Sequence, residues 1–143
     1  MLPVANSDSF AMPKNHEFLR IFLSFETKHR FFADQIECEL KNQDPEIVFL
    51  RCDHISNPQE NWKSFVLNLL KKSNLTICLL SQTTPESAPV IWELNKSNEL
   101  GKEVIGIKLF SEKTPIPSYF EGDDAIVLPW DVAQIASEIY RRG

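Results

Sequence analysis

Short apolar runs alternate along this chain with longer stretches of helical spacing. Leu19 to Phe25, Ile47 to Leu50, Leu75 to Leu80, Val104 to Leu109 and Ala125 to Leu128 are largely apolar and short, as strands buried on both faces are. Between them, apolar residues recur every third or fourth position: Phe32, Ile36 and Leu40 within residues 28–42, then Trp62, Phe65, Val66, Leu69 and Leu70, then Val90, Ile91 and Leu94, and finally Val132, Ile135, Ala136 and Ile139. The punctuation agrees. Ser56 or Asn57 can cap the second helix with Pro58 in its first turn, a third helix can start within Ser87 to Pro89, and Gly101 can stop it. The segment holding Pro115 and Pro117 shows no long helix.

Strands alternating with helices predict an α/β fold whose parallel sheet is covered on both faces. Right-handed crossovers favour a flavodoxin-like three-layer sandwich, with a five-stranded parallel sheet of order 2-1-3-4-5. Residues 18–143 are expected to form this single domain. Residues 1–17 lack periodicity and are expected to be a flexible N-terminal extension, with Phe10 and Met12 as candidate anchors. In such a sheet the loops after strands one and three flank the ligand-binding switch point. Glu26-Thr27, Asp53 to Ser56 and Ser81 to Glu93 then all face one end of the sheet.

Composition narrows the choice of function. The chain has 143 residues and a formal net charge of -5, with basic pairs only at Lys71-Lys72 and Arg141-Arg142, near predicted helix ends. That is not the basic stripe of a nucleic-acid binder. No apolar run approaches a membrane span, and Leu2-Pro3-Val4-Ala5 is too short for a signal sequence. Cys38, Cys52 and Cys78 are odd in number and show no pairing pattern, which reads as reduced sulfur in a cytoplasmic protein. The four glycines form neither a dinucleotide-binding fingerprint nor a P-loop. His16, His29 and His54 are scattered, so no metal site is expected, and no G-x-S-x-G elbow is present. A phosphoreceiver would need an acidic pair after strand one, where Glu26 stands alone, and an aspartate where Ser81 stands. A flavodoxin would need a glycine- and hydroxyl-rich loop in place of Ser24-Phe25-Glu26-Thr27-Lys28.

One carboxylate remains, Glu93, beside Trp92 just past the third strand. By itself, a glutamate early in a helix with Lys96 three residues on reads as a solvated ion pair. Its surroundings add more. Phe22-Leu23-Ser24-Phe25 on strand one, Asp53 and Ser56 after strand two, Trp62, the stretch from Thr84 to Glu93, Gly101-Lys102 and Val104-Ile105-Gly106-Ile107 together resemble the TIR-like domains of bacterial and archaeal proteins. The resemblance spans roughly residues 19–110 and is to the signal-generating TIR subunit of Thoeris antiphage systems and related small stand-alone proteins. The family often has a tryptophan where Pro89 stands.

The resemblance implies cleavage of NAD between nicotinamide and ribose, with Glu93 as the catalytic residue. Substrate contacts are expected from Ser24, Phe25, Asp53, Ser56, Thr83, Thr84 and Trp92: apolar walls from Phe25 and Trp92, hydroxyl donors from the serines and threonines. NAD is then a substrate, and no cofactor or metal is implied. It also implies self-association through TIR-like surfaces and an effector protein reached through a nucleotide product. Two other readings stay open. One is a non-catalytic TIR-like assembly module, and the other a deoxyribosyltransferase-like enzyme acting on nucleosides. Asp53 can equally cap a turn, Trp62 and Trp92 can be core residues, and Phe25 can simply pack.

Overall fold

The computed structural model describes residues 18–53, 58–110, 113–122 and 125–142. Five strands, β1 (Arg20–Ser24), β2 (Val48–Leu50), β3 (Leu75–Leu80), β4 (Glu103–Lys108) and β5 (Ile126–Leu128), alternate with four helices, α1 (Arg30–Gln43), α2 (Pro58–Lys72), α3 (Ala88–Glu99) and α4 (Val132–Arg142). All strand pairings are parallel and the order is β2-β1-β3-β4-β5, the order expected from the sequence. The registers Ser24↔Cys78 and Cys78↔Gly106 align the carboxyl ends of β1, β3 and β4.

The pleat divides each strand between two cores. Ile21, Leu23, Ile77, Leu79, Ile105 and Ile107 pack with Ala33, Ile36 and Leu40 of α1 and with Ile135 and Ile139 of α4. Alternate positions face the other way. Phe22 meets Val66 and Leu70 of α2, while Cys78 and Leu80 meet Val90 and Leu94 of α3. Ser24, two residues beyond Phe22, therefore belongs to the α2–α3 face. β3 is buried along its whole length because it lies mid-sheet, whereas the edge strand β2 is half-buried throughout.

Several boundaries differ from the expected ones for local reasons. Thr27–His29 form a 3-10 turn before α1, so the helix starts at Arg30. Phe65, expected in the α2 core stripe, is 42 % exposed, since Val66 and Leu70 already fill the contact with Phe22. Among its described residues the segment after β4 holds only the short 3-10 turn Ser118–Glu121, whose Phe120 packs on the sheet. Gly106 makes that approach possible: a Cβ there would lie 2.9 Å from Leu80 Cδ1 and 3.0 Å from Phe120 Cε1. Gly101, at φ 74°, ends α3 in the left-handed region, as its position after the apolar stripe predicts. The proposed caps Ser56 and Asn57 and the segment 1–17 lie outside the described residues. Among the described residues no helix is long and apolar enough to cross a membrane.

Candidate functional site

α3 places Val90, Glu93, Leu94 and Ser97 on one inward stripe, so a carboxylate is carried into an otherwise apolar and hydroxylated layer. The helix is started by Ser87, whose side chain accepts the Val90 N–H at 3.4 Å, with Pro89 in the first turn where its missing N–H is harmless. Glu93 is only 3 % exposed. Lys96 does not reach it; that ammonium pairs with Glu99 at 2.9 Å, so the solvated ion pair is not formed.

What Glu93 meets instead is a pair of short donors. Ser24 Oγ donates to Oε1 at 2.5 Å, and Cys52 Sγ donates to Oε2 at 3.6 Å. Behind it, Ser97 Oγ donates to the Glu93 carbonyl at 2.9 Å and lies 2.9 Å from Thr76 Oγ1 on β3. Burial pushes the Glu93 carboxyl up to about 7, against the pull of the Ser24 and Cys52 hydrogen bonds. Burial, with the Glu93 charge next, pushes the Cys52 thiol up to about 12. Glu93 is thus poised to exchange a proton near neutrality, a property that marks sites of acid–base or electrostatic chemistry. The sequence marks Cys52 only as reduced sulfur. Its contact with Glu93 arises because β2 ends beside β1, a relation between residues distant in sequence.

A second carboxylate stands on the next loop. Glu26 accepts Ser81 Oγ at 2.8 Å, Thr83 Oγ1 at 2.7 Å and Thr84 Oγ1 at 2.8 Å. Burial raises its pKa, but the three hydroxyl donors and Lys28 outweigh it and hold the group below the usual carboxylate range. Thr83 and Thr84 were expected to offer donors to a substrate; their hydroxyl hydrogens are directed at Glu26 instead. The sequence puts Glu26 at this end of the sheet but gives no sign of its role, because its partners lie more than fifty positions away, across the β1–β3 pairing.

Glu26 lines a cleft of about 420 Å³ with Phe25, Thr27, Glu86, Ser87 and Pro89. Glu93 is not among the described residues that line it, but chain neighbours of both Ser24 and Glu93 are. Phe25 follows Ser24 directly, and Pro89 lies four residues before Glu93, one turn along the same side of α3. Phe25 is braced from behind, with the Arg51 guanidinium 5.2 Å from its ring centroid. Arg51 in turn pairs with Asp34 at 2.8 Å, Glu37 at 3.0 Å and Asp53 at 2.8 Å. Asp53, also 3.1 Å from Arg30, is a structural anchor in this arrangement, its side chain only 3 % exposed. Trp92 is not among the described residues that line the cleft. Its ring packs 5.1 Å from Trp62, with Lys63 and Lys96 each 5.6 Å from its centroid. Ser56 lies outside the described residues.

Comparison with known proteins agrees with the fold. The family model described as "Thoeris protein ThsB, TIR-like domain" matches residues 22–114. Among solved structures, the TIR domain of the Toll-related receptor TRR-2 from Hydra magnipapillata superposes with a TM-score of 0.60 at 12% identity, covering 85% of this chain and 91% of that one. A prokaryotic SEFIR domain gives 0.58 at 14% identity, covering 86% and 94%. The CMP N-glycosidase BcmB of Clostridium botulinum gives 0.56 at 14% identity, covering 84% and 97%. No curated protein matches the chain significantly.

Proposed function

The chain belongs to the TIR-like domain family of the Thoeris protein ThsB, and on that footing we propose that it cleaves NAD at the bond between nicotinamide and ribose, releasing an ADP-ribose-type nucleotide that signals in antiphage defence. The observation that carries this reading is the buried Glu93 carboxylate, held by Ser24, whose chain neighbours Phe25 and Glu26 line the cleft.

The chemistry suits one well-placed carboxylate. When the C1′–N bond breaks, its electron pair returns to the pyridinium nitrogen, so nicotinamide departs neutral and needs no acid. Positive charge develops on the ribose, and an ionised Glu93 stabilises it strongly because its surroundings exclude water. Water adding to C1′ loses a proton, which the same carboxylate accepts. An internal acceptor in place of water gives a cyclic product. Ser24 keeps the carboxylate aimed, and its donated hydrogen bond favours the ionised form.

The test is incubation with NAD at high protein concentration, with all nucleotide products identified by mass beside a Glu93→Gln control. NAD consumption by the wild type and a loss of at least about a hundredfold in the variant are expected. Equal turnover by the two proteins refutes the role of Glu93. Parallel incubations with CMP and free nucleosides separate NAD cleavage from other glycosidic chemistry on this fold. Partner binding with Glu93 dispensable identifies an assembly module instead.

A further inference from the structure

Ser81, Thr83 and Thr84 each donate a hydroxyl hydrogen to Glu26, and two of them also accept backbone N–H groups of their own loop. Thr84 Oγ1 accepts the Ser81 N–H at 2.8 Å, and Ser81 Oγ accepts the Thr83 N–H at 3.3 Å. Amide, hydroxyl and carboxylate thus stand in series, an arrangement in which each bond polarises the next. Thr84 is fully buried and Ser81 nearly so, which leaves no ready water to replace a bond lost here.

The loop held in this way is the one that starts α3. The Ser87 N–H bonds to the Thr84 carbonyl at 3.0 Å, the Ser87 side chain caps the helix at Val90, and the Ile91 N–H bonds to the Ser87 carbonyl at 3.0 Å. Val90 and Leu94 decide which side of α3 meets the sheet, but apolar contact is non-directional and does not fix the helix along its own axis. Directional bonds do. One turn past Glu93, Ser97 Oγ lies 2.9 Å from Thr76 Oγ1 on β3, and ahead of Glu93 the loop is bonded to Glu26. Glu26 stands two residues beyond Ser24, whose hydroxyl donates to the Glu93 carboxylate. The end of β1 therefore holds both the start of α3 and the carboxylate that α3 carries.

We propose that Glu26 is a positioning residue for Glu93: its hydroxyl-bound carboxylate latches the loop before α3 to the end of β1 and so keeps Glu93 within reach of Ser24. The consequence for catalysis rests on the NAD reading; the latch does not. The other titratable groups at the latch are Lys28 and His29, each 3.9 Å from Glu26, and Glu86, which shares the cleft lining. Around Glu93 they are the thiols of Cys52 and Cys78. Substituting Glu26 has two effects on Glu93 that differ in sign. Removing a negative charge at this end of the sheet can only lower the pH at which Glu93 ionises, whereas losing the Ser24 hydrogen bond raises it.

The experiment follows the Glu93 carboxyl carbon by NMR across a pH series, beside kcat and KM for NAD, in the wild type, Glu26→Gln, Thr84→Val and Thr84→Ser. Thr84 is buried, so its substitution alters the latch and leaves the Glu26 charge in place. In Glu26→Gln and Thr84→Val, Glu93 should ionise at least about half a pH unit higher than in the wild type. Their kcat should fall at least about tenfold while KM stays within about threefold. Thr84→Ser, which keeps the hydroxyl, should behave as the wild type. A Glu93 titration that stays in place or moves down in both variants overturns the proposal, and so does a loss confined to KM, which would mark Glu26 as a substrate contact. Loss of function in Thr84→Ser equal to that in Thr84→Val also overturns it, because the methyl group and not the hydroxyl would then be at issue. If one of the two latch variants does not fold, the other decides. The titration needs no turnover: a raised Glu93 titration without NAD cleavage by the wild type keeps the latch and removes the enzyme, and NAD cleavage with the titration unmoved does the reverse.

Discussion

At the scale of single residues, Glu93 ties stability to pH in a direction opposite to that of an ordinary paired carboxylate. Its pKa is about 7 in the fold, against 4.5 for the ordinary side chain. Between these values the folded chain keeps a proton that the unfolded chain releases, so rising pH favours unfolding. Stability is full below about pH 4.5, falls through neutrality and levels off above pH 7, a loss of about 3 kcal/mol. Glu93→Gln removes the ionisation. Urea titrations at pH 5 and pH 8 should show the wild type losing stability at the higher pH while the variant changes little and is the more stable of the two there. The same group sets the expected rate profile: if the ionised form is the active one, NAD cleavage rises along a single limb centred near pH 7. Ser24→Ala, which deletes a donor to the charged form, moves that limb to higher pH. A limb that stays in place, followed by turnover across a pH series, disconnects Ser24 from Glu93 ionisation.

At the scale of elements, the cleft wall depends on a brace that joins α1 to the end of β2. Arg51, its side chain 6% exposed, links Asp34 and Glu37 of α1 to Asp53 and stacks behind Phe25. Arg51→Met leaves the buried Asp53 with Arg30 as its remaining guanidinium partner among these ion pairs. It should cost roughly 2 kcal/mol, read as a lowered urea midpoint, and should weaken nucleotide binding through Phe25 without touching Glu93. The apolar spacing made α1 and α3 legible, and with them Glu93's place on the inward stripe between Val90 and Leu94. The brace was not legible, because Asp34, Glu37 and Arg51 look like solvated surface charge, and Asp53 like a substrate contact or turn cap, until β2 comes to lie beside β1. For Trp92 the sequence left a substrate wall and a core role open; neighbours on a helix point about 100° apart, and the indole packs against Trp62.

Across the whole molecule, the three cysteines sit in three environments that follow from the layering. Cys38 is exposed on α1, Cys52 is half-buried against Glu93, and Cys78 is fully buried on β3, where burial, and after it the charges of Glu93 and Glu26, push its thiol well up. An aromatic disulfide reagent should modify about one thiol rapidly in the native protein and all three in denaturant, since a thiolate is the reactive form. Rapid native reaction of two would show that the Glu93 region opens readily. Cys78 responds to both carboxylates because Glu93 and Glu26 stand at the same end of the sheet, although they come from different elements. The sequence by itself determined the strands, the helices and their order in the sheet, because these follow from local periodicity and from the handedness of chain crossovers. Only the tertiary structure decided which carboxylate is buried with a pKa near neutrality and which is anchored in its ionised form. Those properties depend on desolvation and on donors brought together by strand pairing, and neither is encoded by a residue's immediate neighbours.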